Sequence, residues 1–236
     1  MKGLITGSSS GIGLAVARTL LEQNPQLELV GLSRRAGPMQ HERFTHWETD
    51  LSDLGETASR ARRFRQEHRA CDLVVCAAGR GSFSPTDAQT AEELDSLVRL
   101  NLTSPMLLLS EILPALRQTE RGALVVLVSS TSALERAPLG AAYAATKGGL
   151  QRFAESLFME GRKQGIRVMD LCPGMTSTAF HDNERFAPEE SPETALQPED
   201  LAALVQFFFA GPGHRMNPTR LTVEPQRVGL RKKSAS

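Results

Sequence analysis

Gly3-Leu4-Ile5-Thr6-Gly7-Ser8-Ser9-Ser10-Gly11-Ile12-Gly13 decides the fold. A short β-like run ends at Thr6, a turn with three glycines follows, and a helical stripe through Leu14, Ala17, Leu20 and Leu21 begins at once. Glycines at 7, 11 and 13 permit a tight turn and close backbone approach. The helix start offers free N–H groups and a partial positive charge, the arrangement that suits a pyrophosphate. A Gly/Ser-rich loop can also merely turn the chain. The strand before it and the amphipathic helix after it favour a nucleotide site built from Gly7, Ser9, Ser10, Gly11, Ile12 and Gly13.

Outward from this turn, β-like runs at Gly3–Thr6, Glu28–Ser33, His46–Asp50, Leu73–Cys76, Leu124–Ser129, Arg167–Leu171 and Leu221–Glu224 alternate with helix-sized segments. That alternation predicts an α/β fold, a Rossmann-type doubly wound parallel sheet in a single domain over residues 1–229. Leu124-Val125-Val126-Leu127-Val128 is apolar on both alternations, as a strand covered on both faces should be. Asp53-x-x-Glu56 has the form of a capping box opening a helix toward Glu67. The segment from about 175 to 198 is long for a connection and reads as a substrate loop. Residues 230–236, with Arg231, Lys232 and Lys233, read as a flexible, solvated tail.

Lys plus Arg total 27 and Asp plus Glu total 27, so the 236-residue chain has no net field to attract phosphate backbones or anionic lipid. Nucleic acid and membrane are therefore poor partners. Leu201 to Ala210 is about half the length a membrane span needs, and the N-terminus leaves no room for a signal peptide. Cys71, Cys76 and Cys172 lie in or beside apolar runs without C-x-x-C spacing and read as reduced thiols of a cytoplasmic protein. The five histidines show no ligand spacing, so no metal is expected.

An acid at the end of the second strand would select NAD(H) by bonding the ribose 2′-OH. Here the stretch is Ser33-Arg34-Arg35, and a guanidinium fork suits a 2′-phosphate, which favours NADP(H) over NAD(H). The same arginines can also be ordinary surface charges. Further on, Ser129-Ser130 closes the Leu124–Val128 run at the sheet edge where such folds place ligands. Tyr143 and Lys147 then stand at i and i+4, on one helix face. Asn101 and Pro105 interrupt an otherwise helical pattern. Asp50 reads equally as a ligand contact or a local cap.

Together these residues resemble the short-chain dehydrogenases/reductases, in their compact one-domain branch. The resemblance spans nearly the whole chain. It rests on T-G-x-x-x-G-x-G at Thr6–Gly13, on Y-x-x-x-K at Tyr143–Lys147 with Ser130 upstream, and on Pro173-Gly174 with Thr178 following. It implies an NADP(H)-dependent oxidoreductase that exchanges a hydride with a small carbonyl or alcohol. Tyr143 would carry the proton and Ser130 would hold the substrate oxygen. Lys147 would bind the nicotinamide ribose and, with the oxidised nicotinamide, lower the Tyr143 phenol from about 10 toward working pH. The backbone carbonyl of Asn101 would anchor a water leading to Lys147. Asp50 and Leu51 would lie at adenine. Ala78, Gly79, Pro173, Gly174, Thr176 and Thr178 would complete the cofactor contacts. A homodimer or homotetramer is likewise implied.

Cys76-Ala77-Ala78-Gly79 departs from the family's usual N-N-A-G, so the bracing amides are missing and the sheet must be braced otherwise. More loosely, Pro173–Phe180 with Arg185-Phe186 and the stretch Asn217–Pro225 resemble a subgroup acting on small 3-hydroxy acids. In that likeness Arg185 is a candidate carboxylate clamp or simply an exposed loop residue. The rival readings are a non-catalytic NADP(H)-binding sensor on the same fold and a sugar-nucleotide epimerase or dehydratase. The full Ser130, Tyr143 and Lys147 set argues against the first. The second resembles longer chains with a separate substrate lobe.

Overall fold

A computed structural model of the chain describes residues 1–181, 186–189, 191, 193–227 and 229–232. Strand β1 (Lys2–Thr6) enters helix α1 (Gly11–Gln23), followed by β2 (Glu28–Ser33), β3 (Phe44–Glu48), α2 (Leu54–Glu67) and β4 (Leu73–Cys76). Then come α3 (Ala91–Val98), α4 (Ser104–Leu116), β5 (Ala123–Val128), α5 (Ala141–Gly161) and β6 (Ile166–Pro173). The chain continues through β7 (Phe186–Pro188), α6 (Pro198–Phe209), β8 (Arg220–Val223) and β9 (Leu230–Lys232). Seven strands form one parallel sheet in the order β3-β2-β1-β4-β5-β6-β8. The expected Rossmann-type doubly wound fold is present. The order reverses beside β1, and the crevice at the carboxyl ends of β1 and β4 is where such a sheet takes a ligand.

Two cores cover the sheet. Ala123, Val125 and Leu127 of β5 face one side with Phe64 of α2, Ile112 of α4 and Leu157 of α5. Leu124, Val126 and Val128 face the other with Val16 and Leu20 of α1 and Val205 of α6. This two-sided burial is why β5 is apolar throughout, since alternate side chains enter opposite cores. At roughly 25 cal/mol per Å² of apolar surface removed from water, such interior strands anchor the fold.

Several boundaries move. β3 spans Phe44–Glu48, two residues earlier than expected, because Asp50 already belongs to the turn into α2. The cap of α2 is only half a box. Asp53 accepts from the Glu56 N–H at 3.0 Å, but the Glu56 carboxylate turns away to accept from the Asp50 N–H at 2.9 Å. The interruption at Asn101 is a widened π turn over Arg99–Thr103, so the chain stays helical from α3 into α4. Pro105, which has no N–H to donate, falls just after this widened turn, at the start of α4.

The 175–198 segment is less irregular than expected. It carries a single helical turn at Ala179–His181, a bridge between Thr176 and Leu196, and β7. The tail is also corrected at its start: Leu230–Lys232 pairs antiparallel with β7, because that loop strand offers backbone partners that a frayed end would lack. Residues 233–236 and Arg185 lie outside the described residues. Among the described residues, no helix is long and apolar enough to cross a membrane.

Candidate active site

The glycine turn is built by contacts that leave no room for side chains. Gly7 and Gly11 have φ of 70° and 53°, the left-handed region glycine adopts without penalty. A Cβ on Gly13 would stand 2.4 Å from the Gly7 carbonyl oxygen, so α1 leaves the turn in backbone contact with β1. Ser10 caps α1 without a side-chain bond, and no acid sits in the first turn to compete for its N–H groups. Ser8 is buried with its hydroxyl unpartnered among the described residues. These features fit a pyrophosphate.

Two segments converge on this turn. Thr178, after β6, lies against Gly11, where a Cβ would meet its methyl carbon at 3.2 Å. The loop after β2 also crosses the turn, for a Cβ on Gly37 would come within 2.7 Å of the Ser9 Cα. That crossing holds the segment carrying exposed Arg34 and Arg35 beside the turn. Ser33 is engaged locally, its hydroxyl donating to the Arg35 carbonyl at 2.9 Å and lying 3.0 Å from His46 Nε2. The Asp50 carboxylate accepts from the Ser52 N–H and hydroxyl at 2.9 and 2.7 Å. Those bonds hold it below the usual carboxylate range, and the Arg34 charge adds to them. Asp50 thus closes the turn ahead of Asp53, the cap residue of α2, while Leu51 turns into the core.

Tyr143 and Lys147 leave the same face of α5, as their spacing requires, and each is only 4% exposed. Lys147 Nζ lies 5.8 Å from the Tyr143 ring centroid and donates to the Val128 carbonyl at the end of β5 at 2.8 Å. Ser130 follows β5 and lies close enough to the Tyr143 phenol to lower its pKa. The three side chains therefore meet, and Gly79 borders them, since a Cβ there would stand 3.4 Å from Lys147 Nζ. At the other end of the site, Gly174 N donates to the Val223 carbonyl at 2.8 Å, and the Thr176 hydroxyl donates to the Gly174 carbonyl at 3.0 Å.

In the protein without cofactor, burial dominates the electrostatics of this pair. Burial pushes the Tyr143 phenol up to about 12, against the influence of Ser130, which lowers it. Burial also pushes Lys147 down to about 8, against the pull of the Asp170 carboxylate. Two groups removed from water disfavour their charged forms, so the protein's own residues keep the phenol protonated.

The bracing lost at Cys76-Ala77 is supplied by the side chains of Thr6 and Asn101, whose bracing contacts the sequence did not indicate. Thr6 accepts from the Ala78 N–H at 3.1 Å. Asn101 clasps the next stretch with its side chain, accepting from the Arg80 N–H at 3.0 Å and donating to the Arg80 carbonyl at 2.9 Å. It also donates to Thr146 at 3.3 Å, and Thr146 donates to the Tyr143 carbonyl at 2.7 Å. Phe83 and Phe180 flank the Tyr143 ring, with centroids at 5.4 and 5.7 Å. A solitary phenylalanine in a Gly-rich stretch was the only sequence signal for Phe83.

A family model described as short chain dehydrogenase matches residues 3–188. A Staphylococcus aureus (strain MW2) protein named as an uncharacterized oxidoreductase is 26% identical over 227 residues, which cover 94% of this chain and 96% of that one. Among solved structures, an alcohol dehydrogenase from the archaeon Thermococcus sibiricus, complexed with 5-hydroxy-NADP, is 21% identical with a TM-score of 0.80. The match covers 94% of this chain and 95% of that one. A 3-ketoacyl-(acyl-carrier-protein) reductase from Brucella melitensis, complexed with NADH, is 23% identical with a TM-score of 0.81, over 94% and 96% of the two chains. At these identities the structural likeness shows the fold.

Proposed function

The chain belongs to the short-chain dehydrogenase/reductase family and is an oxidoreductase, and from that premise we propose that it uses NADP(H) to interconvert a small carbonyl and its alcohol with Tyr143 as general acid/base. The observation that carries this reading is the meeting of Tyr143, Ser130 and Lys147 beside Gly79. When bound, NADP(H) supplies or accepts the hydride. The turn of Gly7, Ser9, Ser10, Gly11, Ile12 and Gly13 would hold its pyrophosphate. Ala78, Gly79, Pro173, Gly174, Thr176 and Thr178 would border the nicotinamide half, with Asp50 and Leu51 near adenine.

The residues divide the remaining work. In carbonyl reduction the Tyr143 phenol, kept protonated by its high free-protein value, donates its proton to the forming alkoxide, whose greater basicity drives the transfer. Ser130 hydrogen-bonds the substrate oxygen and holds it toward the phenol. Lys147 binds ribose and offsets the charge left on Tyr143. The Asn101 carbonyl would anchor a water leading to Lys147, while its side chain fixes the Gly79-Arg80 backbone against α5. Phe83 and Phe180 exclude water from the phenol and give the substrate an apolar wall. We also propose a homodimer or homotetramer.

Tyr143 is the chain's single tyrosine, so a carbon-13 label at tyrosine Cζ reports it alone. The resonance is expected to titrate near the value of about 12 that burial imposes in the free protein, and at lower pH once NADP⁺ is added. A midpoint indifferent to NADP⁺ would count against cation support of the phenolate. Selectivity is tested by neutralising Arg34 and Arg35 together. Charge-assisted bonds to a 2′-phosphate give a preference for NADPH over NADH that should shrink roughly tenfold or more. An NADH-preferring wild type, unmoved by the double substitution, would reject the selectivity argument.

A further inference from the structure

Beneath Lys147 lies a carboxylate that the proposed chemistry does not use. Strand β6 alternates, sending Val168 into the core under α5 and Met169 and Leu171 into the opposite core. Asp170 and Cys172 therefore face α5 with Val168. One turn on from Lys147, Gln151 donates to Ser129 Oγ at 3.3 Å and to Cys172 Sγ at 3.5 Å, so this face of α5 stands over Asp170 and Cys172. Asp170 is cross-strand partner to Leu127, and the next residue, Val128, supplies the carbonyl that binds Lys147 Nζ.

Asp170 is 1% exposed. Its Oδ1 has no hydrogen-bond partner among the described residues, and Oδ2 receives a long 3.4 Å contact from Arg220 Nε. Arg220 divides itself, its other arm reaching Glu155 of α5 at 2.9 Å, so the carboxylate is only partly neutralised. The Lys147 ammonium, for its part, has a neutral carbonyl as its acceptor among the described residues. A buried cation without a counter-charge is costly.

The groups facing Lys147 are Tyr143 on its own helix, Cys76 of β4, and Cys172 and Asp170 of β6. Burial pushes the Cys76 thiol up to about 12 and Cys172 upward as well, so both stay neutral at physiological pH. Burial raises the Asp170 carboxyl too, but Ser129 and Arg220 oppose the rise. The anion left to act on Lys147 is Asp170.

We propose that Asp170 is a positioning residue that keeps the Lys147 side chain an ammonium, acting across the β5–β6 register from beneath α5. The inference rests on the reading of Lys147 as the group that binds ribose and supports Tyr143. It assigns a task to a buried carboxylate that the proposed chemistry leaves without one.

The test follows Lys147 directly, in protein labelled with carbon-13 at lysine Cε and assigned through Lys147→Met. Asp170→Asn is expected to lower the Lys147 midpoint by on the order of one pH unit, and Asp170→Glu to restore most of it. The alkaline limit of NADPH turnover should fall by a matching amount. A carboxylate needed only for packing would change thermal stability and leave the lysine titration where it was. An unmoved midpoint in folded Asp170→Asn overturns the proposal. Should that variant fail to fold, Arg220→Gln at the rim serves instead: removing the competing guanidinium should raise the Lys147 midpoint, and no change again overturns the proposal. A wild type that turns over no carbonyl would remove the functional reading, while the lysine titration would still decide this one.

Discussion

Tyr143→Phe is expected to lose NADPH-linked turnover by roughly 10²–10⁴-fold, the usual worth of a positioned acid/base, while the protein still binds NADPH. The substitution removes one oxygen. The ring remains between Phe83 and Phe180, so packing and fold should survive. Ser130 keeps its bond from the Ser132 N–H at 3.2 Å. Steady-state rates with a panel of small ketones and aldehydes, set beside NADPH titrations of the same preparation, separate chemistry from binding. Turnover within a few-fold of wild type would mean that another group moves the proton. A parallel collapse of NADPH affinity would mean that the substitution damaged the site rather than the chemistry.

Gly13→Ala carries the second large effect. An added methyl would stand 2.4 Å from the Gly7 carbonyl oxygen and 3.0 Å from that of Thr6, both backbone atoms that cannot rotate away. Either α1 lifts off β1 or the turn opens. Overpacking of this kind costs about 1–3 kcal/mol, a large share of a net stability of roughly 5–15 kcal/mol. Helix α1 also packs against α6, so its displacement would loosen that core as well. Urea unfolding should show the loss, and NADPH affinity should fall at least as steeply because the turn's N–H groups no longer converge. Wild-type stability together with wild-type NADPH binding would refute the close-packed turn described above.

The scaffold was legible because its signals are local. β2 and β4 occupy the residues expected of them, since apolar runs bounded by turns reflect burial on both faces. β3 slipped because Thr49 and Asp50 look like strand residues, whereas Asp50 is captured by Ser52, a side-chain preference that competes with the ladder. The meeting of Ser130, Tyr143 and Lys147 was also readable, because an i, i+4 pair shares a helix face and a strand end marks the ligand edge.

What surrounds that meeting was not readable. The clasp of Asn101 on Arg80, the rings of Phe83 and Phe180 around Tyr143, and the carboxylate of Asp170 beneath Lys147 are tertiary contacts between different segments. No periodicity encodes such contacts. The depth of burial that holds the Tyr143 phenol high in the protein without cofactor is likewise not encoded in any local pattern.

The widened turn at Arg99–Thr103 accommodates one residue more than a regular helix would, and each helical residue advances the chain by about 100°. Excising a single position there would restore even winding, yet would swing Asn101 away from Arg80 and Thr146. Chain length at this joint thus answers to what Asn101 must reach rather than to helix economy. A one-codon deletion could detach the clasp while leaving the helices on either side intact.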